Sequence, residues 1–464
     1  MARAAEKGTE ATGRPGDGGE NKPGWLSRQW SVENIEALLE AVILALVVRF
    51  FLMEAYQIPT GSMEPTLRGN MFGEDNTRIH SGDRLLVNKL AYVAGDPQRF
   101  DVIVFKYPLN SDKNFIKRLV GLPGETLEIR RGDLWINGKP DRKPPLAQQA
   151  MWRSMHPKGL EDDQRQAWKA VSGEWALAPG RMTLNASPGR DAALVQFREE
   201  IYQGCPDLKL QGKVTWGDAG TSWVGVIQKD ALEFVAQIRP GKSADGSWEA
   251  SVAIKDMQRQ GLVMDSVTQA WSHLPIGKPL SLLFSHADCR VEMSLEGNPP
   301  LSLDYDEKLW QEGSYPTSSI RTGFTAGKGE LTGLSLLRDV YYIPPMDWDQ
   351  AYRGSYKVEI PQDAYFVMGD NCTNSKDSRY WATTTVKIAN GRSITGDRDN
   401  EVTGMAPHSS GRQPFMDCMG RTHWITHDNV VERTTEETPF IFRRQLVGRA
   451  FMIFWPAQRI RFIH

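Results

Sequence analysis

The chain has 464 residues, which is too long for one ordinary domain and predicts two or three modules. Its 55 basic and 57 acidic side chains give a net charge of −2, so overall charge offers no basis for nucleic-acid binding. The four cysteines, Cys205, Cys289, Cys372 and Cys418, lack C-x-x-C spacing and argue against a metal site. They leave two alternatives open, two disulfides or reduced buried thiols.

The N-terminal part predicts a disordered tail followed by a membrane anchor. Residues 1–30 are mostly rich in Gly, Ala, Glu and Pro and lack apolar periodicity. Residues 37–53 are strongly apolar and would span roughly 25 Å as a helix, close to a bilayer core of about 30 Å. We therefore expect one transmembrane helix over 33–54, with Trp25, Trp30 and Tyr56 as interfacial anchors. A core or amphipathic helix is the alternative.

The segment after the anchor, 55–140, predicts antiparallel β-structure. It holds short runs rich in β-branched and other apolar residues, separated by turn signals. The strand-like runs lie at 84–87, 101–105, 126–129 and 133–136. Asn137-Gly138 after the last run is a strong hairpin signal.

The middle of the chain, 141–355, predicts an inserted β-rich domain resembling a sandwich, because several strand-like runs follow one another at regular spacing. These runs lie at 232–238, 248–254, 280–284 and 291–295. A helix is expected near 161–171. The main body then resumes over 356–383 and 441–464, and the polar stretch 384–440 between them predicts an irregular insertion.

The first chemical motif surrounds Ser62, shortly after the apolar segment. Pro59 and Pro65 prevent a helix there, and Gly61 permits a close backbone approach. A serine on such a rigid, extended loop is well placed to attack a carbonyl carbon. An ordinary loop serine is the alternative.

The second motif surrounds Lys117, within the apolar sequence from Asn114 to Glu125. A lysine buried there loses affinity for its proton, because burial disfavours the ammonium form. The neutral amine could then act as a base toward a serine hydroxyl. A lysine pointing to solvent from an edge strand is the alternative.

The third motif, from Phe366 to Trp381, is a strand running into a turn dense in Gly, Asp, Asn and Ser. Its polar side chains can form many local hydrogen bonds and could support a nearby lysine. A solvated turn is the alternative.

Together these motifs resemble the type I signal peptidases of bacteria. The matching segments occur in one order: the apolar anchor, the Ser62 segment, residues 82–89, the Lys117 segment, residues 369–379 and residues 447–451. The resemblance implies a Ser/Lys serine endopeptidase with Ser62 as nucleophile and Lys117 as general base. The implied fold is mainly β, with an antiparallel-sheet catalytic body, one N-terminal transmembrane helix and the inserted β-rich domain.

The resemblance also implies supporting roles. Thr60 would complete an oxyanion hole with the backbone N–H of Ser62. Ser375 would hydrogen-bond the lysine and orient it. The expected supporting charges are two pairs, Asp377 with Arg379 and Asp370 with Arg118. The apolar lining of shallow substrate pockets would be Ile58, Met63, Leu67, Phe115 and Ile116.

The implied substrates are the signal peptides of exported preproteins, cut after A-x-A-like sites. The protein would span the cytoplasmic membrane once, with its catalytic body on the outer (periplasmic) side and the lipid bilayer as a partner. No metal or organic cofactor and no nucleic acid is implied. The inserted domain is much longer than the family's variable β domain and could bind a further, unknown ligand.

Two other hypotheses remain open. The chain could be a membrane-tethered binding or scaffold protein with an inactive peptidase body. It could also be a Ser/Lys protease with a different target, such as a self-cleaving regulator.

Overall fold

The computed structural model describes residues 28–72, 78–156, 167–185, 187–189, 191–198, 207–241, 247–272, 274–305, 318–345, 355–399 and 412–464. The chain divides into two compact units, Met1–Met53 and Glu54–His464. The predicted tail over 1–30 lies outside the described residues except for its last three, and Trp25 lies outside them too.

The first unit is helical where it is described. Helix α1 (Arg28–Val47) continues into a π-helical segment, Val48–Leu52. Among the described residues, no helix combines the length and the apolar content needed to cross a membrane. The anchor expected over 33–54 is therefore unconfirmed and stays a prediction.

The second unit opens with the first part of the body. Its strands are β1 (Met53–Gln57), β2 (Met71–Phe72), β3 (Arg78–His80), β4 (Arg84–Asn88), β5 (Val102–Tyr107), β6 (Asn110–Gly121), β7 (Thr126–Arg130), β8 (Asp133–Ile136) and β9 (Lys139–Pro140). Two short helices accompany them, α2 (Ala91–Ala94) and α3 (Pro145–Met151). The expected hairpin turn is present: Asn137 and Gly138 have φ angles of 51° and 78°, which this turn requires.

The inserted domain is a sandwich of two antiparallel sheets. Its strands are β10 (Arg153–His156), β11 (Trp168–Ser172), β12 (Trp175–Ala178), β13 (Arg181–Leu184), β14 (Ala193–Phe197), β15 (Leu208–Trp216), β16 (Ser222–Lys229), β17 (Leu232–Pro240), β18 (Trp248–Asp256), β19 (Leu262–Trp271), β20 (Leu280–Ala287), β21 (Arg290–Leu295), β22 (Leu301–Asp304), β23 (Ser318–Ala326) and β24 (Gly329–Arg338).

One sheet of the sandwich has the order β12-β13-β24-β15-β20-β21-β22, with β10 also paired to β24. The other has the order β11-β14-β23-β16-β17-β18-β19. Both sheets contribute to one apolar core that includes Trp216, Trp223 and Phe284, as the alternating runs of the sequence predict. The helix expected near 161–171 is wrong over residues 168–171, because β11 occupies residues 168–172 and pairs with β14. Ala167 is helical, and residues 161–166 lie outside the described residues.

The chain then completes the body and adds a second, smaller module. The remaining strands are β25 (Ser355–Glu359), β26 (Ala364–Met368), β27 (Ala382–Ile388), β28 (Ser393–Asp397), β29 (Arg412–Met416), β30 (Thr422–Thr426), β31 (Val430–Glu437), β32 (Ile441–Phe442), β33 (Leu446–Trp455) and β34 (Arg461–Phe462). The main sheet of the body has the order β1-β4-β33-β5-β6-β26-β32, with β34 added to β33. A second sheet has the order β25-β7-β8-β9.

The prediction of an irregular insertion over 384–440 is wrong for the described part. Strands β27 to β31 form two small sheets there, β28-β27-β31 and β29-β30. The alternation that specifies them is present in Thr384, Val386 and Ile394, which are buried between half-buried or exposed neighbours. The many threonines make this stretch polar, which favours a loop in the sequence analysis, although threonine is also a strand-forming residue. We call the described residues of 382–437 the second module.

Candidate active site

The Ser62 segment leaves the main sheet directly after β1 and forms a tight turn. Residues Gly61–Met63 make one turn of 3₁₀ helix, and Leu67 N–H donates to Met63 O at 2.8 Å. Met63 and Leu67 are fully buried beneath this turn. The buried apolar side chains fix the turn from below, so that Ser62 is held in one place although the segment is not a regular strand.

Lys117 lies in the middle of the long strand β6. This strand pairs with β5 on one side and β26 on the other, so its backbone is fixed by two neighbours. Only 5% of Lys117 is exposed. Burial lowers the pKa of the amine from 10.5 to about 8; the carboxylates of Asp377 and Asp370 oppose this shift, and Arg379 adds to it.

The two predicted catalytic groups meet. Lys117 Nζ lies 3.0 Å from Ser62 Oγ, and its second close partner is Ile116 O at 2.9 Å. A neutral amine at this distance can accept the hydroxyl proton as the oxygen attacks. Lys117 does not face solvent, because it is buried, and Ser62 differs from an ordinary loop serine in being buried in contact with a lysine amine.

Thr60 is placed at the edge of the same turn. Its Oγ1 lies 3.4 Å from Ser62 Oγ, and its side chain is exposed. The threonine hydroxyl is thus one donor beside Ser62 Oγ, and the Ser62 backbone N–H is the second donor that the resemblance implies. Two such donors could stabilise negative charge on a substrate carbonyl oxygen.

The pair formed by Arg118 and Asp370 supports the next position of β6. Two guanidinium nitrogens of Arg118 donate to the carboxylate at 2.8 Å each, and Thr66 Oγ1 donates to it at 2.5 Å. Both charged side chains are fully buried. Since Thr66 belongs to the nucleophile segment, this pair ties that segment to β6 and to the loop after β26.

The pair formed by Asp377 and Arg379 supports the loop itself. Arg379 donates to both carboxylate oxygens, at 2.8 and 2.7 Å, and Gly369 N–H donates to the same carboxylate at 3.0 Å. The guanidinium also contacts Cys372 Sγ at 2.7 Å and Ile343 O at 2.7 Å. A buried thiol thus packs inside this network.

Ser375 reaches the site but does not make its predicted contact. Its Oγ is buried and forms no hydrogen bond with another described group. The expected hydrogen bond from Ser375 to Lys117 is therefore absent from this structure, because the amine is directed toward Ser62 Oγ and Ile116 O. Ser375 instead packs against Gly369, where an added Cβ would collide with the serine side chain and with Ser62 O.

Asn371 is a site residue that the sequence analysis missed. Its backbone N–H donates to Ser62 O at 3.0 Å, and its side-chain amide donates to Gly61 O at 3.0 Å. Asn371 thus binds two backbone carbonyls of the turn that carries Ser62, those of Gly61 and Ser62. Asn371 follows Asp370 in the third motif, so the sequence offered it as a candidate. Its hydrogen bonds to backbone carbonyls leave no charge pattern in the sequence, so its role could not be identified there.

The five predicted pocket residues divide between the two faces of β6. Ile58, Met63 and Leu67 share one apolar cluster, and Ile116 packs against it. Phe115 points to the opposite face, as alternation along a strand requires, and packs with Tyr107 and other aromatic residues. Lys117 lies two residues beyond Phe115 on the same face of β6, and its amine reaches Ser62 Oγ at 3.0 Å.

A cluster of buried carboxylates lies where β8 meets the sandwich. The oxygens of Asp133, Asp207 and Asp288 lie within 4.8 Å of one another. Lys229 donates to Asp207 at 2.9 Å and Lys143 donates to Asp288 at 2.6 Å. Two of the three carboxylates thus bind a lysine ammonium, which makes the cluster part of a buried ion-pair network.

The three described cysteines carry reduced thiols. Cys289, Cys372 and Cys418 form no disulfide within the described ranges, so the alternative of two disulfides is wrong. Cys205 lies outside the described residues.

Comparison with known proteins identifies relatives for the segments that carry this site. Residues 31–184 and 340–396 match the family described as signal peptidase, peptidase S26. Signal peptidase I of Pseudomonas aeruginosa is 40% identical over 121 residues, which is 23% of this chain and 38% of the relative. Signal peptidase I of Bacillus amyloliquefaciens is 39% identical over 112 residues, which is 24% of this chain and 51% of the relative.

The matches thus span between 38% and 51% of the length of these two relatives. Among solved structures, the carbohydrate-binding module CBM66 from Bacillus subtilis covers 37% of this chain and 94% of that module, at 11% identity and a TM-score of 0.26. That likeness is too low to support a conclusion about this chain.

Proposed function

Because this chain belongs to the signal peptidase family, we propose that it is a membrane-bound serine endopeptidase that removes signal peptides from exported preproteins. The observation that carries the proposal is the contact of 3.0 Å between Lys117 Nζ and Ser62 Oγ. A buried amine beside a hydroxyl has no structural advantage, since burying a lysine is costly. The pair does have a chemical use, which is to activate the hydroxyl.

The reaction begins when Ser62 Oγ attacks the carbonyl carbon of the scissile peptide bond and Lys117 takes the hydroxyl proton. Thr60 Oγ1–H and the Ser62 backbone N–H donate to the oxyanion that forms. As the tetrahedral intermediate collapses, the Lys117 ammonium returns the proton to the departing amine. Lys117 then takes a proton from a water molecule, which attacks the acyl-enzyme. As the bond between the acyl carbon and Ser62 Oγ breaks, Lys117 returns that proton to Ser62 Oγ and the signal peptide is released.

The supporting residues keep the amine and hydroxyl in contact. Asn371 holds both carbonyls of the nucleophile turn, and Arg118 with Asp370 joins that turn to β6. Since these contacts exist before any substrate arrives, the reacting atoms need little rearrangement. Asp370 and Asp377 are also the negative charges that limit how far burial lowers the pKa of Lys117.

The substrate preference proposed here is a small residue before the cut. Ile58 and Met63 are almost completely buried, which supports the proposal that only shallow depressions open beside Ser62. An extended substrate segment would bind next to β1, which is an edge strand of the main sheet. Such a geometry suits A-x-A-like sites, in which the two alanines occupy shallow depressions on one side of the strand.

The cellular setting is part of the same proposal. The catalytic body would lie on the outer, periplasmic side of the cytoplasmic membrane, where signal peptides emerge, with the bilayer and the preproteins as partners. A separate ligand for the inserted sandwich stays a prediction.

The proposal is tested with full-length, detergent-solubilised protein and a preprotein that carries an A-x-A site. The wild type should release the signal peptide. Ser62→Ala and Lys117→Ala should each lower kcat by about 10³-fold or more. Lys113→Ala is the matched control, because Lys113 is exposed on the same strand and should leave the rate unchanged. Absence of cleavage by folded wild-type protein would favour the scaffold hypothesis.

A further inference from the structure

The Asp397 carboxylate of the second module contacts the body close to the candidate active site. Asp397, in β28, accepts a hydrogen bond from Tyr107 Oη at 2.8 Å and another from Lys376 Nζ at 2.8 Å. Tyr107 ends β5 of the main sheet, and Lys376 directly follows Ser375. Asp397 thus connects the second module to two separate elements of the body.

The ring of Tyr107 packs against the ring of Phe115. The two rings are stacked with centroids 4.1 Å apart and planes inclined by 7°. Trp381 packs edge-on against both rings, at 5.6 Å from Tyr107 and 6.5 Å from Phe115. Aromatic pairs in such arrangements contribute roughly 0.5–1.5 kcal/mol beyond simple burial. The position of the Phe115 ring therefore depends on that of Tyr107.

Phe115 in turn covers the catalytic lysine. It precedes Lys117 by two residues on β6, so both side chains point to the same face, and Lys117 Nζ lies 5.5 Å from the Phe115 ring centroid. The ring keeps water away from the amine. Its face also attracts a cation, which alone would favour the ammonium form. Burial of the amine, to which the nearby ring contributes, lowers the pKa of Lys117 to about 8.

Tyr107 needs Asp397 to stay in this position. Only 3% of Tyr107 is exposed, and burial together with the nearby Asp397 carboxylate raises the pKa of its hydroxyl, which therefore stays a donor. Without an acceptor, the buried hydroxyl would carry an unsatisfied donor or turn toward water. Either outcome loosens the stack on Phe115.

Independent contacts fix the second module to the same hairpin. At the start of β6, Ser111 N–H donates to Cys418 O at 3.1 Å, and Asn110 Nδ2 lies 3.2 Å from Met416 Sδ. An added Cβ at Gly420 would collide with the carboxylate of Asp112, so this side chain packs directly against Gly420. The module therefore supports the strand pair that carries Phe115 and Lys117 at two places.

We propose that Asp397 is a positioning residue, which holds the Tyr107–Phe115 stack as a wall of the substrate pocket and as the dry cover of Lys117. The inference rests on the proposed peptidase function and gives the second module a role in it. Loss of Asp397 would let Phe115 move. The pocket would then admit larger residues, and water would reach the amine and raise its pKa toward the ordinary value.

The test compares Asp397→Ala, Asp397→Asn and Tyr107→Phe with the wild type as full-length proteins. The control is Asp399→Ala, because Asp399 contacts Lys376 at 3.0 Å in the same loop but is not the acceptor of Tyr107. The activity readout is kcat/KM against pH for two peptides that differ in Ala or Val before the cut. A second readout is the pH dependence of Lys117 acetylation by acetic anhydride, followed by mass spectrometry.

Asp397→Ala and Tyr107→Phe should move the rising limb of kcat/KM upward by about one pH unit, which is a tenfold loss of rate below the limb. They should also reduce the preference for Ala over Val several-fold, and shift Lys117 acetylation to higher pH. Asp397→Asn should be closer to wild type, since its amide oxygen can still accept from Tyr107. Asp399→Ala should behave as wild type.

Unchanged acetylation and unchanged selectivity in Asp397→Ala and Tyr107→Phe would overturn the inference. So would equal effects in Asp399→Ala. If wild-type protein cleaves nothing, the proposed function fails, and the acetylation curves still decide whether Asp397 controls the cover of Lys117.

Discussion

Gly369 provides a sharp test of how closely the active-site elements are packed. A Cβ at this position would lie 2.5 Å from the carbonyl oxygen of Ser62 and closer still to Ser375 Oγ. Ordinary contacts begin at 3.4 Å, so the nucleophile turn or the loop after β26 must move by about 1 Å in Gly369→Ala. The backbone of Gly369 is not in the left-handed region, so the collision alone would cause the effect.

A displacement of about 1 Å between reacting groups can lower the rate by about 10²-fold. We therefore expect kcat/KM of Gly369→Ala to fall by about that factor in a peptide-cleavage assay. Removing the second collision in Gly369→Ala/Ser375→Gly should not restore the rate, because the Ser62 carbonyl would still be displaced. Gly95→Ala is the matched control, since its Cβ would meet only Ala91 O, at 3.4 Å. A Gly369→Ala protein within threefold of wild-type activity would refute this account of the packing.

Three further predictions follow from the same contacts. Thr60→Val should lower kcat by about 10²- to 10³-fold with little change in melting temperature, whereas Thr60→Ser should stay active; equal kinetics for both variants would remove Thr60 from the oxyanion hole. Asp370→Ala should lower the free energy of unfolding by about 3–5 kcal/mol in urea titrations, because it leaves Arg118 charged and fully buried. Asp96→Ala, which breaks the exposed pair with Arg443, should lower it by less than about 1 kcal/mol, and similar losses in both variants would contradict the burial argument. The full-length protein should stay in the membrane fraction after a carbonate wash, while a chain lacking residues 1–53 should be released; equal release of both would remove the predicted anchor.

Much of the β-structure could be predicted because local signals there agree with the fold. The strand at 248–256 alternates buried and half-buried residues along its length, and the Asn137-Gly138 turn adopts the positive φ angles that those residues favour. The second module was misread as irregular because threonines such as Thr384 and Thr385 were counted as polar rather than as strand-forming. The polar composition hid the two-residue strand period, which is still visible in the buried positions of Val386 and Ile394.

The contact between Ser62 and Lys117 could be predicted because the two residues sit in motifs whose order along the chain is itself informative. The finer geometry could not. Whether Ser375 faces Lys117 depends on side-chain torsions that sequence spacing does not specify. The clamp by Asn371 and the stack of Tyr107 on Phe115 join residues more than 300 positions apart or on neighbouring strands, and such contacts depend on tertiary packing.

The central claim is that burial lowers the pKa of Lys117 far enough to make a neutral amine available beside Ser62 near physiological pH, and the pH dependence of kcat/KM tests it most directly. The assay needs a peptide that has no group titrating between pH 6 and pH 10, so that the curve reports the free enzyme. Since the deprotonated amine is the active form, kcat/KM should rise tenfold per pH unit at low pH and level off above a midpoint near 8. A midpoint near the ordinary lysine value of 10.5, or a flat profile across this range, would contradict the account.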